Sequence, residues 1–263
     1  MFRAFIRHRD LIWQMTKRDI IGRYRGSMAG LLWSFFNPVL MLSIYTFVFS
    51  GVFKARWGTG TADSQVDFAV VLFAGLLVHN MFAECVNRAP ALVVAQPSLV
   101  KKVVFPLEIL PWVAVMSALF HTFAGLLVLL AMSLLGSLHL SPTVLLFPVV
   151  LAPFVLCTLG FVWFLASTGV FLRDLSQGIG VVTTALLFLS PVFYASSALG
   201  EPYRTFLKLN PLSFIVEQSR EVLIWGRSPD WAGLAVYLLV SLVIARGGYW
   251  WFQKTRRGFA DVL

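Results

Sequence analysis

The chain has 263 residues, 59% hydrophobic and 13% charged, with a formal net charge of +9. A soluble domain is about a quarter charged, so this composition excludes an ordinary water-soluble globule and points to a polytopic, all-helical membrane protein. The basic residues sit in short segments beside apolar runs, which ties them to membrane topology and an anionic lipid surface and argues against nucleic acid as a partner.

Residues 1–28 form a basic segment with no clean apolar core before a small-residue site, so no cleavable signal peptide is expected. Phe2, Phe5, Ile6, Ile12, Trp13 and Ile20 fall near one helical face, and Arg3, Arg7, Asp10, Gln14 and Arg18 near the other. Leu11, Ile21 and Arg9 break the pattern. Two readings stand: a helix lying in the membrane interface, or a basic flank that only sets topology.

Residues 26–53 contain no Asp, Glu, Lys or Arg, ample for a first span at 29–53, since about 20 residues cross the hydrocarbon. Asn37-Pro38 resembles a helix break, and Gly26-Ser-Met-Ala-Gly30 is a GxxxG that hints at close helix contact. Trp33, Phe35, Phe36, Tyr45, Phe47 and Phe49 crowd this span. Residues 68–83 are also uncharged and, with Glu84 near the end, give a second span at 68–87.

The loop 88–108 carries Lys101 and Lys102 between Pro97 and Pro106. Pro97 suits the first turn of a helix and Pro106 would end it. A short docking helix and a plain linker fit equally well. Residues 109–172 then hold no Asp, Glu, Lys or Arg. That run is too long for one crossing, so it must fold back at 136–142, where Gly136, Ser141 and Pro142 supply turn chemistry. Spans three and four are expected at 109–135 and 143–170.

Residues 175–200 are uncharged and give a fifth span near 178–194, ended or bent by Pro191 beside Phe193 and Tyr194. The following segment 195–230 is too patterned for a plain loop. Asn210 is an N-cap with Pro211 at the first helical position, Glu217 and Arg220 form an i,i+3 pair, and Gly226 is a helix stop. The spacing predicts a helix over 211–224. It fits a half-inserted hairpin that plugs or lines an exit, or a helix lying on the surface. Span six is expected at 231–251, with 252–263 as a tail.

Lys and Arg number 14 in segments 1–28, 88–108, 171–177 and 252–263, against 6 in the alternate segments. The bias predicts both termini on the cytoplasmic side. Cys85 and Cys157 read as small buried hydrophobes. The four histidines, His8, His79, His121 and His139, have no metal-like spacing, no nucleotide-binding loop is present, and no catalytic constellation stands out. Glu84 and Arg246 are the charged residues placed nearest membrane depth, and each could snorkel to an end.

The chain resembles the transmembrane subunits of ABC exporters for lipid-linked polysaccharides of the O-antigen, capsule or teichoic-acid type. The resemblance spans nearly the whole length. It rests on Arg23-Tyr-Arg-Gly-Ser-Met-Ala-Gly-Leu-Leu-Trp33, Leu99-Val-Lys-Lys-Val-Val-Phe-Pro-Leu-Glu-Ile-Leu-Pro111, Phe171-Leu-Arg-Asp174, Leu189-Ser-Pro-Val-Phe-Tyr194, Leu209-Asn-Pro-Leu212 and Phe259-Ala-Asp261. It implies a homodimer of six-span subunits in the cytoplasmic (inner) membrane of a bacterium. Two copies of a separate ABC ATPase would bind the ATP and Mg, leaving this chain without a cofactor and not an enzyme.

By the same resemblance, Pro97, Ser98, Leu99, Lys101, Lys102, Phe105, Pro106 and Glu108 would form the coupling element that meets the ATPase. Arg3, Arg7, Lys17, Arg18, Arg23 and Arg25 would attract the diphosphate of a polyprenyl-diphosphate-linked glycan from the membrane lipid. Trp33, Phe36, Tyr45, Phe188, Phe193 and Tyr194 would line the pore, since aromatic faces stack on sugar rings. Pro191, Asn210, Pro211, Glu217 and Arg220 would belong to an outer gate, the hairpin 194–224. The chain departs from the family at Leu107, where relatives often carry a basic residue. An ABC exporter for small drugs or lipids, and a membrane-embedded enzyme acting on polyprenyl lipids, are the competing readings.

Overall fold

The computed structural model describes residues 1–53, 65–101, 105–135, 141–196, 200–201, 207 and 210–263. Its elements in chain order are α1 (Phe2–Arg7), α2 (Arg9–Tyr24), α3 (Trp33–Tyr45), α4 (Gln65–Arg88), α5 (Ala91–Val94), α6 (Pro97–Val100), α7 (Leu110–Leu135), α8 (Phe147–Phe171), α9 (Leu175–Leu189), α10 (Pro211–Leu223), α11 (Trp231–Thr255) and α12 (Phe259–Val262). Among the described residues there is no strand. That is the expected outcome for long uncharged runs whose backbone groups must be satisfied within the segment.

Among the described residues five stretches are long and apolar enough to cross a membrane: Gly30–Phe49, Phe68–Arg88, Leu107–Leu134, Pro142–Phe171 and Trp231–Val262. The fifth expected span differs. Its helix covers only Leu175–Leu189, 15 residues, or about 22 Å at 1.5 Å per residue, short of a hydrocarbon core of about 30 Å. The chain leaves the helix at Ser190, whose backbone is extended (ψ 153°), just before Pro191. The last helix differs in the other direction. It runs through Thr255, and the expected tail continues helically through Arg256–Gly258 into α12, with Phe259 fully buried between Phe171 and Phe252. The turn expected over 136–142 lies outside the described residues except for Ser141, whose hydroxyl caps Thr143 N, and Pro142.

α4 is the centre of the bundle. Ala69, Leu72, Ala74, Val78 and Cys85 are fully buried along it, and α3, α7, α8, α9 and α10 all pack around it. α3 is the outlying helix, with Ser34 and Leu42 its only buried residues. It contains Pro38 and loosens into a π-helical stretch, Thr46–Val52. The amphipathic segment is broken at His8 into α1 and α2. Its expected apolar face is divided: Ile12 is buried with Met15 and Thr16 against α7, while Ile6 and Trp13 point outward.

The GxxxG at Gly26–Gly30 does not make a helix contact. Both glycines adopt left-handed backbone (φ 89° and 50°), and a Cβ on either would meet open space. They turn the chain between α2 and α3. The close helix seam lies elsewhere. A Cβ on Gly160 of α8 would lie 2.7 Å from the Ile244 backbone of α11, and one on Gly248 would collide with the Gly160 carbonyl. Backbone meets backbone there, so no side chain can move aside.

Gly160→Leu is therefore expected to force α8 and α11 apart, and Gly160→Ala to cost about 1–3 kcal/mol by overpacking. A thermal melt in detergent that leaves Gly160→Leu as stable as the parent chain would show that the seam is not close.

Candidate functional site

Three groupings bring the sequence-nominated residues together, and each is built on a helix end or break. The first is at the end of α9. Its last carbonyls have no helical partner, and side chains supply one. Ser190 Oγ donates to Leu186 O (2.6 Å), Tyr194 Oη to Phe188 O (3.1 Å) and Asn210 Nδ2 to Leu189 O (3.1 Å). Asn210 serves both sides of the break, since its Oδ1 accepts from Leu212 N (2.9 Å) and caps α10, with Pro211 in the first turn. Gly226 turns left-handed (φ 65°) just past the end of α10.

Arg220 completes this site. It is 4% exposed and donates from Nε to Val71 O (3.0 Å), from Nη2 to Val192 O (2.8 Å) and from Nη1 to Pro191 O. Gly75 of α4 makes room: a Cβ there would sit 2.7 Å from Nη2. The guanidinium thus fastens α10 to the unwound turn after α9 and to α4, where an i,i+3 partnership with the half-buried Glu217 was expected. Its planar fork of donors suits three carbonyls at once.

The second grouping lies where α2 meets α4 and α7. Glu84 Oε1 is 2.6 Å from Arg23 Nη2, and its Oε2 is 3.0 Å from His121 Nδ1, about three turns into α7. Arg88 Nη2 is 2.7 Å from Asp19 Oδ1, and it lies 3.9 Å from Glu84 through Nη1. Tyr24 Oη is 3.1 Å from His121 Nε2. Arg23 Nη1 lies 3.3 Å from the same Nδ1, so the imidazole sits between the end of α2 and Glu84. Two acids and two arginines balance in charge. Burial alone would raise the Asp19 carboxyl, but Arg88 first, then Ser117 and Arg23, hold it below the usual carboxylate value.

Of the six basic residues nominated for a diphosphate, Arg3, Arg7, Lys17, Arg18 and Arg25 are exposed, and Arg23 alone has its head turned into this network. Above it opens a cleft of about 250 Å³ walled by Trp33, Asn37 and Pro38 of α3, Asn80 of α4, and His121 and Thr122 of α7. A second cleft of about 360 Å³, lined by Arg18, Asp19, Arg88 and Gln96, separates α2 from the 91–100 segment.

The third grouping is the 97–108 segment. Pro97 opens α6 after Gln96, but the helix is a single turn, Pro97–Val100. Pro97, Ser98 and Lys101 are exposed, and Leu99 is partly buried. Lys102 lies outside the described residues. Phe105 and Pro106 are non-helical, so the expected continuous helix to Pro106 is not formed at its far end. Glu108 is paired within the chain: Arg256 Nη1 reaches its carboxylate at 2.7 Å, Arg256 Nη2 donates to Phe105 O (3.2 Å), and Trp163 Nε1 donates to Glu108 O (3.1 Å). Leu107 is buried, which gives the departure at that position a packing role.

The nominated aromatics divide. Trp33 and Phe36 sit 6.0 Å apart, centroid to centroid, on the exposed side of α3. Phe193 stacks on Phe188 (5.6 Å) and reaches Phe49 (6.2 Å), which touches Tyr45 (6.4 Å). Rings from α3, its π-helical extension and the end of α9 thus form one cluster. Sequence reasoning missed His121, Asp19, Tyr24, Arg88 and Arg256. The i,i+4 spacings Asp19/Arg23 and Glu84/Arg88 were the available signal. Among the described residues no group of His, Cys, Asp or Glu could hold a metal ion.

The family model described as "ABC-2 type transporter" matches residues 10–224. The chain is 28% identical to the O-antigen export system permease protein RfbA of Myxococcus xanthus, over 100% of this chain and 99% of that one. It is 25% identical to the protein of the same name from Klebsiella pneumoniae, over 97% and 95%. It is 22% identical to the polysialic acid transport protein KpsM of Escherichia coli, over 88% and 89%.

Two outcomes are expected. Arg220→Met strips the Val71, Pro191 and Val192 carbonyls of these donors, at roughly 1–3 kcal/mol for each group left unmade; a melting temperature in detergent equal to the parent's would exclude that role. Asp19, its carboxyl pKa depressed, contributes stability that is full above its unfolded value of about 3.9 and is lost as pH falls through the lower folded value. Acid below about pH 4 should therefore release α2, seen as a rise in amide exchange over residues 9–25, and Asp19→Asn should remove that step.

Proposed function

The chain belongs to the ABC-2 type transporter membrane family, and from that premise we propose that it is the membrane-spanning subunit of an ATP-driven exporter of lipid-linked polysaccharide. The observation that carries this reading is the end-to-end similarity to permeases named for O-antigen export and polysialic acid transport. In this reading two copies pair in the cytoplasmic membrane of a bacterium, with both termini cytoplasmic, and two ATPase subunits bind below.

The geometry fits each part of that task. α9 makes the fifth of six crossings and breaks at Ser190, α10 belongs to a re-entrant outer hairpin, and the bonds of Arg220 and Asn210 tie the two together. Irregular backbone at membrane depth is tolerated where protein or a lumen surrounds it. The aromatic cluster of Tyr45, Phe49, Phe188 and Phe193 joins the two helices that would line the pore. α1 and α2 lie along the inner interface with Ile6 and Trp13 turned to lipid and the basic residues at the headgroups.

Coupling runs through the 97–101 turn. Its exposed Pro97, Ser98 and Lys101 meet the ATPase, and closure on ATP shifts a two-state equilibrium of the spans; no chemistry occurs in this chain. Arg256 and Trp163 bind Phe105 and Glu108 and so hold the 105–108 stretch to α8 and to the end of α11, where a push can enter the bundle.

In cells that supply the partner ATPase and the glycan, Lys101→Ala with Lys102→Ala should stop export and leave lipid-linked glycan inside, with the protein still inserted. Wild-type export and wild-type stimulation of ATP hydrolysis in that double variant would refute the docking role.

A further inference from the structure

The ion pair between Arg23 and Glu84 closes the bottom of the polar cleft. The remaining walls offer Tyr24, Asn37, Asn80 and His121, with the exposed Trp33 at the rim. Asn37 and Asn80 are exposed side chains inside segments otherwise apolar enough to span a membrane. Such polar groups there are expected to meet ligand, water or another protein group and not lipid. A ring at the rim and amide groups within make a surface for sugar and phosphate oxygens.

The charges are arranged so that one pair can break without stranding an acid. If Arg23 leaves Glu84, that carboxylate still has His121 at 3.0 Å and Arg88 at 3.9 Å, and Asp19 keeps Arg88 at 2.7 Å. The contacts that would go are Arg23–Glu84, Arg23–His121 and Tyr24–His121, all made by the last turn of α2. A phosphate is the natural competitor for a guanidinium, because it accepts two parallel N–H bonds as a carboxylate does.

Resting on the export reading above, we propose that this cleft receives the phosphate–sugar junction of a lipid-linked glycan, and that the phosphate takes Arg23 from Glu84 and thereby frees the last turn of α2 from α4 and α7, while the Asp19–Arg88 pair and the packing of Ile12 and Met15 keep the rest of the helix in place. The same phosphate chemistry could come from a bulk anionic phospholipid, so the probe set must separate the two sources. Glu84 is then a gatekeeping residue: it holds the latch shut while the cleft is empty and yields only to an anion presented inside it.

The test uses the complete complex with its ATPase in nanodiscs of phosphatidylethanolamine. Farnesyl diphosphate is the probe, farnesol the control without phosphate, and phosphatidylglycerol nanodiscs the bulk-lipid arm. Binding is measured together with amide exchange over residues 21–25, the last turn of α2. The inference expects farnesyl diphosphate to bind better than farnesol and to raise that exchange. Glu84→Gln should raise exchange without probe and tighten diphosphate binding roughly 5- to 10-fold, and Arg23→Gln should abolish the preference for diphosphate over farnesol.

Should Glu84→Gln destabilise the chain, Asn80→Leu gives a second handle. It lies outside the ion pairs and should weaken probe binding while leaving unliganded exchange unchanged. The inference is overturned if Arg23→Gln keeps the diphosphate preference, if the probe leaves 21–25 protected, or if phosphatidylglycerol alone frees that turn. Export of lipid-linked glycan by the same parent complex separates the two levels. Export with any of those results sinks the latch alone, and a parent complex that exports no such glycan sinks the reading beneath it.

Discussion

Hydrocarbon offers no water to a carbonyl or a charge, so each polar group that leaves the helical ladder must find its partner within the protein. Where α9 stops short, the side chains of Ser190, Tyr194 and Asn210 take its free carbonyls, and Arg220 takes those of the turn beyond. A buried guanidinium is costly by itself, and free carbonyls are costly too; each removes the other's penalty. The break can therefore persist as one defined shape.

The same constraint governs the opposite set of helix ends. Glu84 is the one acid within the described part of α4's apolar stretch, and it is held by groups from α2, α4 and α7. A carboxylate so placed makes the position of α2 depend on two spans at once. Glu108 and Arg256 do for the 97–108 segment and α12 what Glu84 and Arg23 do for α2. Peripheral segments are thus fastened by ion pairs with partial solvent access, which can exchange partners, while the bundle itself is fastened by packing, which cannot.

That difference divides the molecule mechanically. α8 and α11 touch backbone to backbone at Gly160 and Gly248, and α4 is buried along most of its length. α3 buries only Ser34 and Leu42, carries Pro38, and runs into a π-helical stretch. Close-packed elements move as units, so motion is left to α3, α9 and α2, the helices that hold the cleft and the aromatic cluster.

By itself the sequence determined that the chain is helical and membrane-bound, because uncharged runs such as 109–172 have no other way to satisfy their backbone. It also determined the local devices at Asn210, Pro211 and Gly226, which depend on neighbours a few residues away. Tertiary structure decided what depends on residues far apart. Arg220 faces Val71 and not solely its own helix, Glu108 meets Arg256, and Glu84 gathers Arg23 and His121. Gly26 and Gly30 are turn residues, while Gly160 and Gly248, outside any motif, carry the close contact. A periodic pattern shows which way a side chain points on its own helix; which helix waits there is fixed only when the bundle closes and each buried charge finds its counterpart.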